Sequence, residues 1–315
     1  MDELDVKIFR ALMSEGAVAP SNAQVSSSLR SIASRLGADD TTVNYRYRRL
    51  KELGALSGWQ LMVNPTFFGC RILAVTVDVQ PESAKPDMIT KLRLLHEVTG
   101  IAIYYGRALG ALVMYSSEAS RSRIVELISR ITNAEAPTQI RWALPPCRTE
   151  RLTETDVSII RSLSNDARKS LALVAKEFGL STRTVTTRVR RLRREMTILA
   201  VPVLKMGGIP GLIPVYLSYT YAKHEVKKAV DRDMLSHFNA KYFSAQISDP
   251  DIGYIFLSAS TMADVQEYLE WARTQPGIAG ARVDIPTKTM MFPNKLVELL
   301  DSRNEKAALQ KRAFL

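Results

Sequence analysis

Two stretches of this chain superpose when 142 is subtracted from the second, "SIASRLGADDTTVNYRYRRLK" at 31–51 falling on "LVAKEFGLSTRTVTTRVRRLR" at 173–193. Ala33 meets Ala175, Gly37 meets Gly179 and Val43 meets Val185. Arg46, Arg48, Arg49 and Leu50 then meet Arg188, Arg190, Arg191 and Leu192. The segments before them also match, Asp5-Val6 on Asp156-Val157, Ile8 on Ile159 and Leu12 on Leu163. Their offset is nine larger because the first copy carries an insertion around 17–28. Coincidences of this density at one spacing read as two copies of one unit, so any fold must be built twice.

Each copy spells a helix, a short helix, a Gly-containing turn and a longer helix. Ile159, Ile160 and Leu163 give the first helix of copy two an apolar face, and Leu171, Val174, Ala175 and Phe178 do so for the second. Gly179 suits the left-handed position that ends a helix, and Ser181 suits the N-cap of the next. This is the layout of a helix-turn-helix. The stretches "GALSGWQLMVNP" (54–65) and "MTILAVPVLKMGG" (196–208) are strand-like and predict a wing on each unit.

The third helices concentrate charge. At 100° steps Val185, Val189 and Leu192 form one stripe, while Arg183, Thr187, Arg190 and Arg194 gather opposite with Arg191 beside them. In copy one Val43, Tyr47 and Leu50 point inward, Thr41, Tyr45 and Arg48 point outward, and Asn44 and Arg49 flank them. Like charge repels on an isolated helix, and phosphate would neutralise it while nearby polar side chains reach base edges. We therefore expect DNA contacts from Thr41, Thr42, Asn44, Tyr45, Arg48 and Arg49 in the first copy. From the second we expect them from Ser181, Thr182, Arg183, Thr186, Thr187, Arg190, Arg191 and Arg194. Arg46 and Arg188 lie at the border of the apolar stripe, where they either hold phosphate or pair locally. The whole chain points the same way, with 43 Lys+Arg against 32 Asp+Glu, a net charge of +11, and a polyanionic partner as the consequence.

Beyond each wing the period changes to two. Leu73, Val75, Val77 and Val79 share one face, as do Val215, Leu217, Tyr219 and Tyr221. A helix (about 86–98 and 224–238), two strands, a second helix and a last strand follow in each copy. The second helices carry Ile124, Leu127, Ile128 and Ile131 against Val265, Tyr268, Leu269 and Ala272. The order βαββαβ predicts a ferredoxin-like sandwich. The fold class is then α+β, with a winged helix-turn-helix at 1–65, a ferredoxin-like domain at 66–147, and the same pair at 148–208 and 209–294. A charged helical tail at 295–315 closes the chain.

Each copy resembles the Lrp/AsnC family of prokaryotic transcription regulators. The residues carrying the resemblance are "LDVKIFRAL", "IASRLGADDTTVNYRYRRLKELGAL" with "NP" at 64–65, and "TETDVSIIRSLSNDARKSLALVAKEFGLSTRTVTTRVRRLRRE". It implies a prokaryotic, archaeal source and sequence-specific binding of double-stranded DNA through two reading heads. It also implies ferredoxin-like domains that pair, either as an intramolecular pseudo-dimer or as a homodimer, and that bind small effectors. The family's Gly-x-x-Asp effector turn is altered here, with Gly110 and Gly253 aligned to the acid and Asp249 or Asp251 as the available substitutes. A small-molecule effector is therefore left open.

Two other readings compete: an architectural protein coating DNA with little sequence preference, and an enzyme like the siroheme decarboxylases, which resemble the same family. The enzyme would draw on His96, expected in a sandwich helix, and on His224 and His237 near the ends of another. The arginine-rich helices favour a non-enzymatic regulator without a cofactor. There is no phosphate-binding loop, dinucleotide fingerprint or zinc-ligand spacing. Cys70 and Cys147 give no disulfide framework, and no apolar run is long enough to span a bilayer, so a cytoplasmic protein without a membrane partner is expected. The aromatic residues Trp59, Phe67, Phe68, Trp142 and Trp271 read as packing groups, and Met290-Met291-Phe292 as a buried strand end.

Overall fold

A computed structural model describes residues 2–18, 29–149, 151–204, 209, 211–247 and 249–300. Most of the insertion (19–28), the end of the second wing segment (205–208) and the tail beyond 300 lie outside the described residues. The chain is mixed helix and sheet. Helices α1 (Glu3–Val18), α2 (Leu29–Leu36) and α3 (Asp40–Glu52) come first, followed by strand β1 (Leu56–Val63). Then come β2 (Arg71–Asp78), α4 (Lys85–Leu94), β3 (Val98–Tyr104), β4 (Ala108–Tyr115), α5 (Glu118–Thr132) and β5 (Thr138–Trp142). The order recurs as α6 (Glu154–Leu163), α7 (Leu171–Glu177), α8 (Thr182–Arg194) and β6 (Ile198–Leu204). It continues through β7 (Ile213–Tyr221), α9 (Lys227–His237), β8 (Tyr242–Gln246), β9 (Ile252–Ala259), α10 (Met262–Thr274) and β10 (Ile278–Asp284). A further strand, β11 (Pro286–Met291), leads into helical residues 293–300.

The period-two faces fold as their patterns dictate. Leu73, Val75, Val77 and Val79 pack with Ile124 and Ile128 of α5, and Val215, Leu217 and Tyr219 with Val265 and Tyr268 of α10. Leu127, expected on that face of α5, is 38% exposed, and Val125 takes the buried place. Both sheets run antiparallel with the same neighbour relations, β3-β4-β2-β5 in one and β8-β9-β7-β10 in the other.

The unlike halves are joined by pairings that no single copy could make. The sequence predicts a separate wing on each three-helix unit. Instead each unit contributes one strand, and β1 pairs antiparallel with β6, Trp59 lying opposite Pro202 and Leu61 opposite Ala200. A lone strand leaves a row of backbone donors and acceptors unpaired, and the matching strand of the other unit satisfies them. β11 likewise crosses to the other sheet and lines the edge strand β3, Met290 opposite Ile101. Met290 and Phe292 are half-buried and pack against the first sheet's core, so the strand end expected to be buried in the fold is only partly covered.

The other faces of the two sheets meet each other. Tyr104 of β3 stands edge-on to Tyr216 of β7 with centroids 5.7 Å apart, and Tyr216 packs on Phe256 at 4.5 Å. At the rim Arg282 of β10 reaches Asp78 of β2 at 2.7 Å. One apolar cluster then runs through α1–α3, α6–α8, the β1–β6 ribbon, Phe243, Phe256 and Leu296. Among the described residues no helix is long and apolar enough to cross a membrane.

Candidate nucleic-acid interface

The third helices α3 and α8 are set by the same local chemistry. Gly37 and Gly179 take φ +61° and +62°, the left-handed turn that glycine adopts without a Cβ penalty. Asp39 then caps α3 by accepting from the Thr42 N–H at 3.1 Å, and Ser181 caps α8 by accepting from the Thr184 N–H at 3.0 Å. Val43, Tyr47 and Leu50 are buried under α3, and Val185, Val189 and Leu192 under α8, as the helical wheel requires. Phe178 departs from that pattern, since it ends α7 with 41% of its surface exposed.

Burial of one stripe turns the expected contact residues outward. Thr41, Thr42, Tyr45, Arg48 and Arg49 are exposed on α3, Tyr45 by 63%. Asn44 is half-buried, its amide donating to the Asp40 carbonyl at 2.8 Å and carboxylate at 3.0 Å. On the second unit Ser181, Thr182, Arg183, Thr187, Arg190 and Arg194 are exposed and Thr186 is half-buried. Arg183, Thr184, Thr187, Arg188 and Arg191 line a shallow open depression of about 430 Å³.

Not all of the arginines face outward freely. Asp156, fully buried on α6, accepts from Arg188 Nη1 at 3.0 Å and from Arg191 Nη2 at 2.6 Å. Burial pushes the Asp156 carboxyl up, but the hydrogen bonds from Thr153 and then from the two guanidiniums outweigh it and hold it below the usual carboxylate range. Arg46 does the equivalent work on α3, reaching Asp2 at 2.6 Å and Asp5 at 3.3 Å, and Arg193 is buried. The border arginines Arg46 and Arg188 thus pair locally. Arg191, expected to contact DNA, is held by Asp156, and its buried Nε has no hydrogen bond among the described residues, lying 3.9 Å from Glu195. Arg48, Arg49, Arg183, Arg190 and Arg194 form no ion pair among the described residues.

Trp59, expected only as a packing group, and several residues that sequence reasoning did not single out fix the two helices relative to each other. Trp59 of β1 donates to the Tyr47 hydroxyl at 3.3 Å, and Arg168, in the turn between α6 and α7, lies over both rings at 4.8 and 5.2 Å. The Ala167 N–H donates to the Trp59 carbonyl at 3.0 Å and the Leu61 N–H to the Ser164 carbonyl at 3.1 Å. Asn64 is buried and donates to the Met196 carbonyl, just after α8, and to the Pro145 carbonyl, both at 2.8 Å. Its only sequence signal was the "NP" pair at 64–65. On the other side Arg10 of α1 stacks 3.6 Å over Tyr242 of β8 and donates to its carbonyl at 2.9 Å.

The sandwich turns differ from the sequence alignment. Gly110 lies opposite Thr76, but Gly253 lies opposite Tyr219, which aligns with Val77. Register therefore matches Gly253 with Leu109 and Gly110 with Tyr254, so the two glycines face opposite sides of their sheets. Each makes room for a tyrosine: a Cβ on Gly110 would lie 3.0 Å from the Tyr104 ring, and one on Gly253 only 2.2 Å from the Tyr219 ring. Asp249 is already occupied, accepting from the N–H groups of Arg141 and Asp251 at 2.9 Å and of Ile252 at 3.2 Å, while Asp251 is exposed. His96 sits in a turn after α4 rather than within a helix, because α4 ends at Leu94. His224 is exposed in a short 3-10 turn, and His237 stacks on Trp271 at 3.6 Å.

Residues 152–193 match the family model of the AsnC-type helix-turn-helix domain. The HTH-type transcriptional regulator Ptr1 of Methanocaldococcus jannaschii is 30% identical over 98 residues, which are 31% of this chain and 60% of that protein. The chain thus spans about 60% of the length of the curated relative it matches. Among solved structures, the siroheme decarboxylase NirDL is similar over 98% of this chain and 100% of its own, with a TM-score of 0.52 and 11% identity. It has also been solved in co-complex with an iron-uroporphyrin III analogue. AsnC of E. coli is similar over 49% of this chain and 97% of its own, with a TM-score of 0.29 and 21% identity.

Proposed function

We propose that this protein is a transcription regulator that binds double-stranded DNA with two helix-turn-helix heads, reads sequence through α3 and α8, and pairs its two ferredoxin-like halves within one chain. The observation that carries the reading is the outward face of α8, where Arg183, Thr187, Arg190 and Arg194 are exposed above a buried apolar stripe. Arginine forks match guanine edges and phosphates, and threonine contacts either, so this face combines affinity with readout. The AsnC-type match over residues 152–193 and the likeness to the regulator Ptr1 support the same reading. The β1–β6 ribbon and the opposed sheets support pairing inside the chain.

The test is binding of the purified chain to genomic fragments, followed by footprinting. A sequence reader prefers its site over random duplex by roughly 10³-fold or more at fixed salt, and two half-sites should be protected. A preference close to one would instead favour an architectural coating protein. Arg183→Ala or Arg190→Ala should each cost about 1–3 kcal/mol of binding at the specific site and relax the preference there. Loss spread evenly over all sequences would reassign that arginine to phosphate.

One observation favours a second reading. The likeness to the siroheme decarboxylase NirDL runs the length of the chain, so the fold could hold a tetrapyrrole. Titration of the chain with an iron tetrapyrrole, followed by visible absorbance, decides between them: a saturable spectral shift supports the enzyme, and its absence removes it.

A further inference from the structure

We propose that the two heads are unequal on the duplex: α8 meets DNA along its whole length, whereas the acidic start of α3 holds the first head off the phosphates. This inference rests on the DNA-binding reading above and specifies which unit supplies the affinity. The third helices align residue for residue, so Asp39, Asp40 and Thr41 correspond to Ser181, Thr182 and Arg183. Both helices begin with the same capping bond, from the Thr42 N–H to Asp39 and from the Thr184 N–H to Ser181. The backbone is thus alike and the charge is not. One start presents two exposed carboxylates, and the other presents an exposed guanidinium.

The other charges along α3 and α8 deepen the difference. Arg48, Arg49 and Lys51 are exposed only in the last turns of α3, where Glu52 is exposed beside them. Arg46 is held by Asp2 and Asp5. On α8 the exposed arginines run from Arg183 in the first turn through Arg190 to Arg194 in the last. The first turns of a recognition helix are the part that reaches base edges, and duplex DNA carries one charge per about 1.7 Å of axis. Carboxylates there meet repulsion, while Arg183 meets attraction. What α3 keeps for base readout is neutral: Thr41 and the largely exposed Tyr45, whose ring suits a thymine methyl. The preferred operator is then an asymmetric pair of half-sites, one bound strongly by α8 and one selected weakly by α3.

The test exchanges the two helix starts in the full chain. Serine and aspartate are equivalent N-caps, so Asp39→Ser with Asp40→Thr, and the reverse pair Ser181→Asp with Thr182→Asp, keep the capping bonds. Fluorescence anisotropy with a labelled duplex of random sequence reads the outcome. The first pair should tighten binding by about fivefold and the second weaken it by at least as much, the scale of two exposed charge repulsions. In parallel, Arg183→Ala with Arg190→Ala should weaken binding more than Arg48→Ala with Arg49→Ala. If the native chain binds but the exchanges leave affinity unchanged, or the two arginine pairs cost the same, the inequality is overturned. If the native chain binds no duplex at low salt, the DNA-binding reading itself fails, and this inference with it.

Discussion

Asp156 has no exposed surface and holds two guanidinium groups at once. Its neutralisation would leave both arginines without the buried carboxylate they share. Breaking a buried pair by deleting one partner costs about 3–5 kcal/mol, and since Arg188 and Arg191 keep about a third of their surface in water, Asp156→Asn should cost about 3 kcal/mol in urea unfolding. Arg190→Ala, at an exposed position, should stay within about 0.5 kcal/mol. Acid gives an independent reading. A carboxyl held below its unfolded value stabilises the fold above that value, about 3.9, and the stabilisation is lost as pH falls through the lower folded value. Stability of the native chain should therefore drop below about pH 4 by an amount that Asp156→Asn no longer shows. At this scale the sequence was legible wherever a rule is local. The turn glycine Gly179 and the cap Ser181 could be read from their neighbours alone. Arg191 could not, because the acid that claims it lies 35 residues away on another helix.

Elements were legible one at a time, and their partners were not. Period-two patterning fixes which face of β2 or β7 is apolar, but it does not say which edge of which strand lies alongside. Hence β1 and β6 were visible as strands while their union was not, and β11 was visible as an apolar strand end but not as the fifth strand of the other copy's sheet. Trp59 shows what that union carries. It is 3% exposed, lies opposite Pro202, donates to Tyr47 beneath α3 and is covered by Arg168 from the second unit. Trp59→Ala should cost about 3–5 kcal/mol by cavity formation and lost contacts. Because β1 belongs to the shared core, the loss should lower a single cooperative transition rather than split it, and calorimetry of the variant distinguishes the two outcomes. A separate early transition for the first unit would mean that the ribbon is a weak tether.

For the whole molecule, the proposed function turns on how many chains occupy one operator. On the proposed reading, two heads joined by a covalent linker, a shared ribbon and opposed sheets would need no second chain to form a pair, and the second contact would be intramolecular at a high effective concentration. Two heads reading one face of the duplex address half-sites about 34 Å apart, one helical turn, or a multiple of it. Titration of a labelled operator should then follow a single-site curve whose midpoint is independent of pre-dilution of the protein, and sedimentation of the complex should give one chain per duplex. Pairing between chains makes the opposite prediction. Dilution would dissociate the dimer, the curve would steepen toward a Hill coefficient of about two, and the complex would contain two chains. The unequal heads add a second signature to the intramolecular case. Deleting the half-site under α8 should abolish binding, whereas deleting the one under α3 should leave most of the affinity and remove mainly the preference for that sequence. A chain that bound equally well after either deletion would have two interchangeable heads, which the carboxylates at the start of α3 and the guanidinium at the start of α8 argue against.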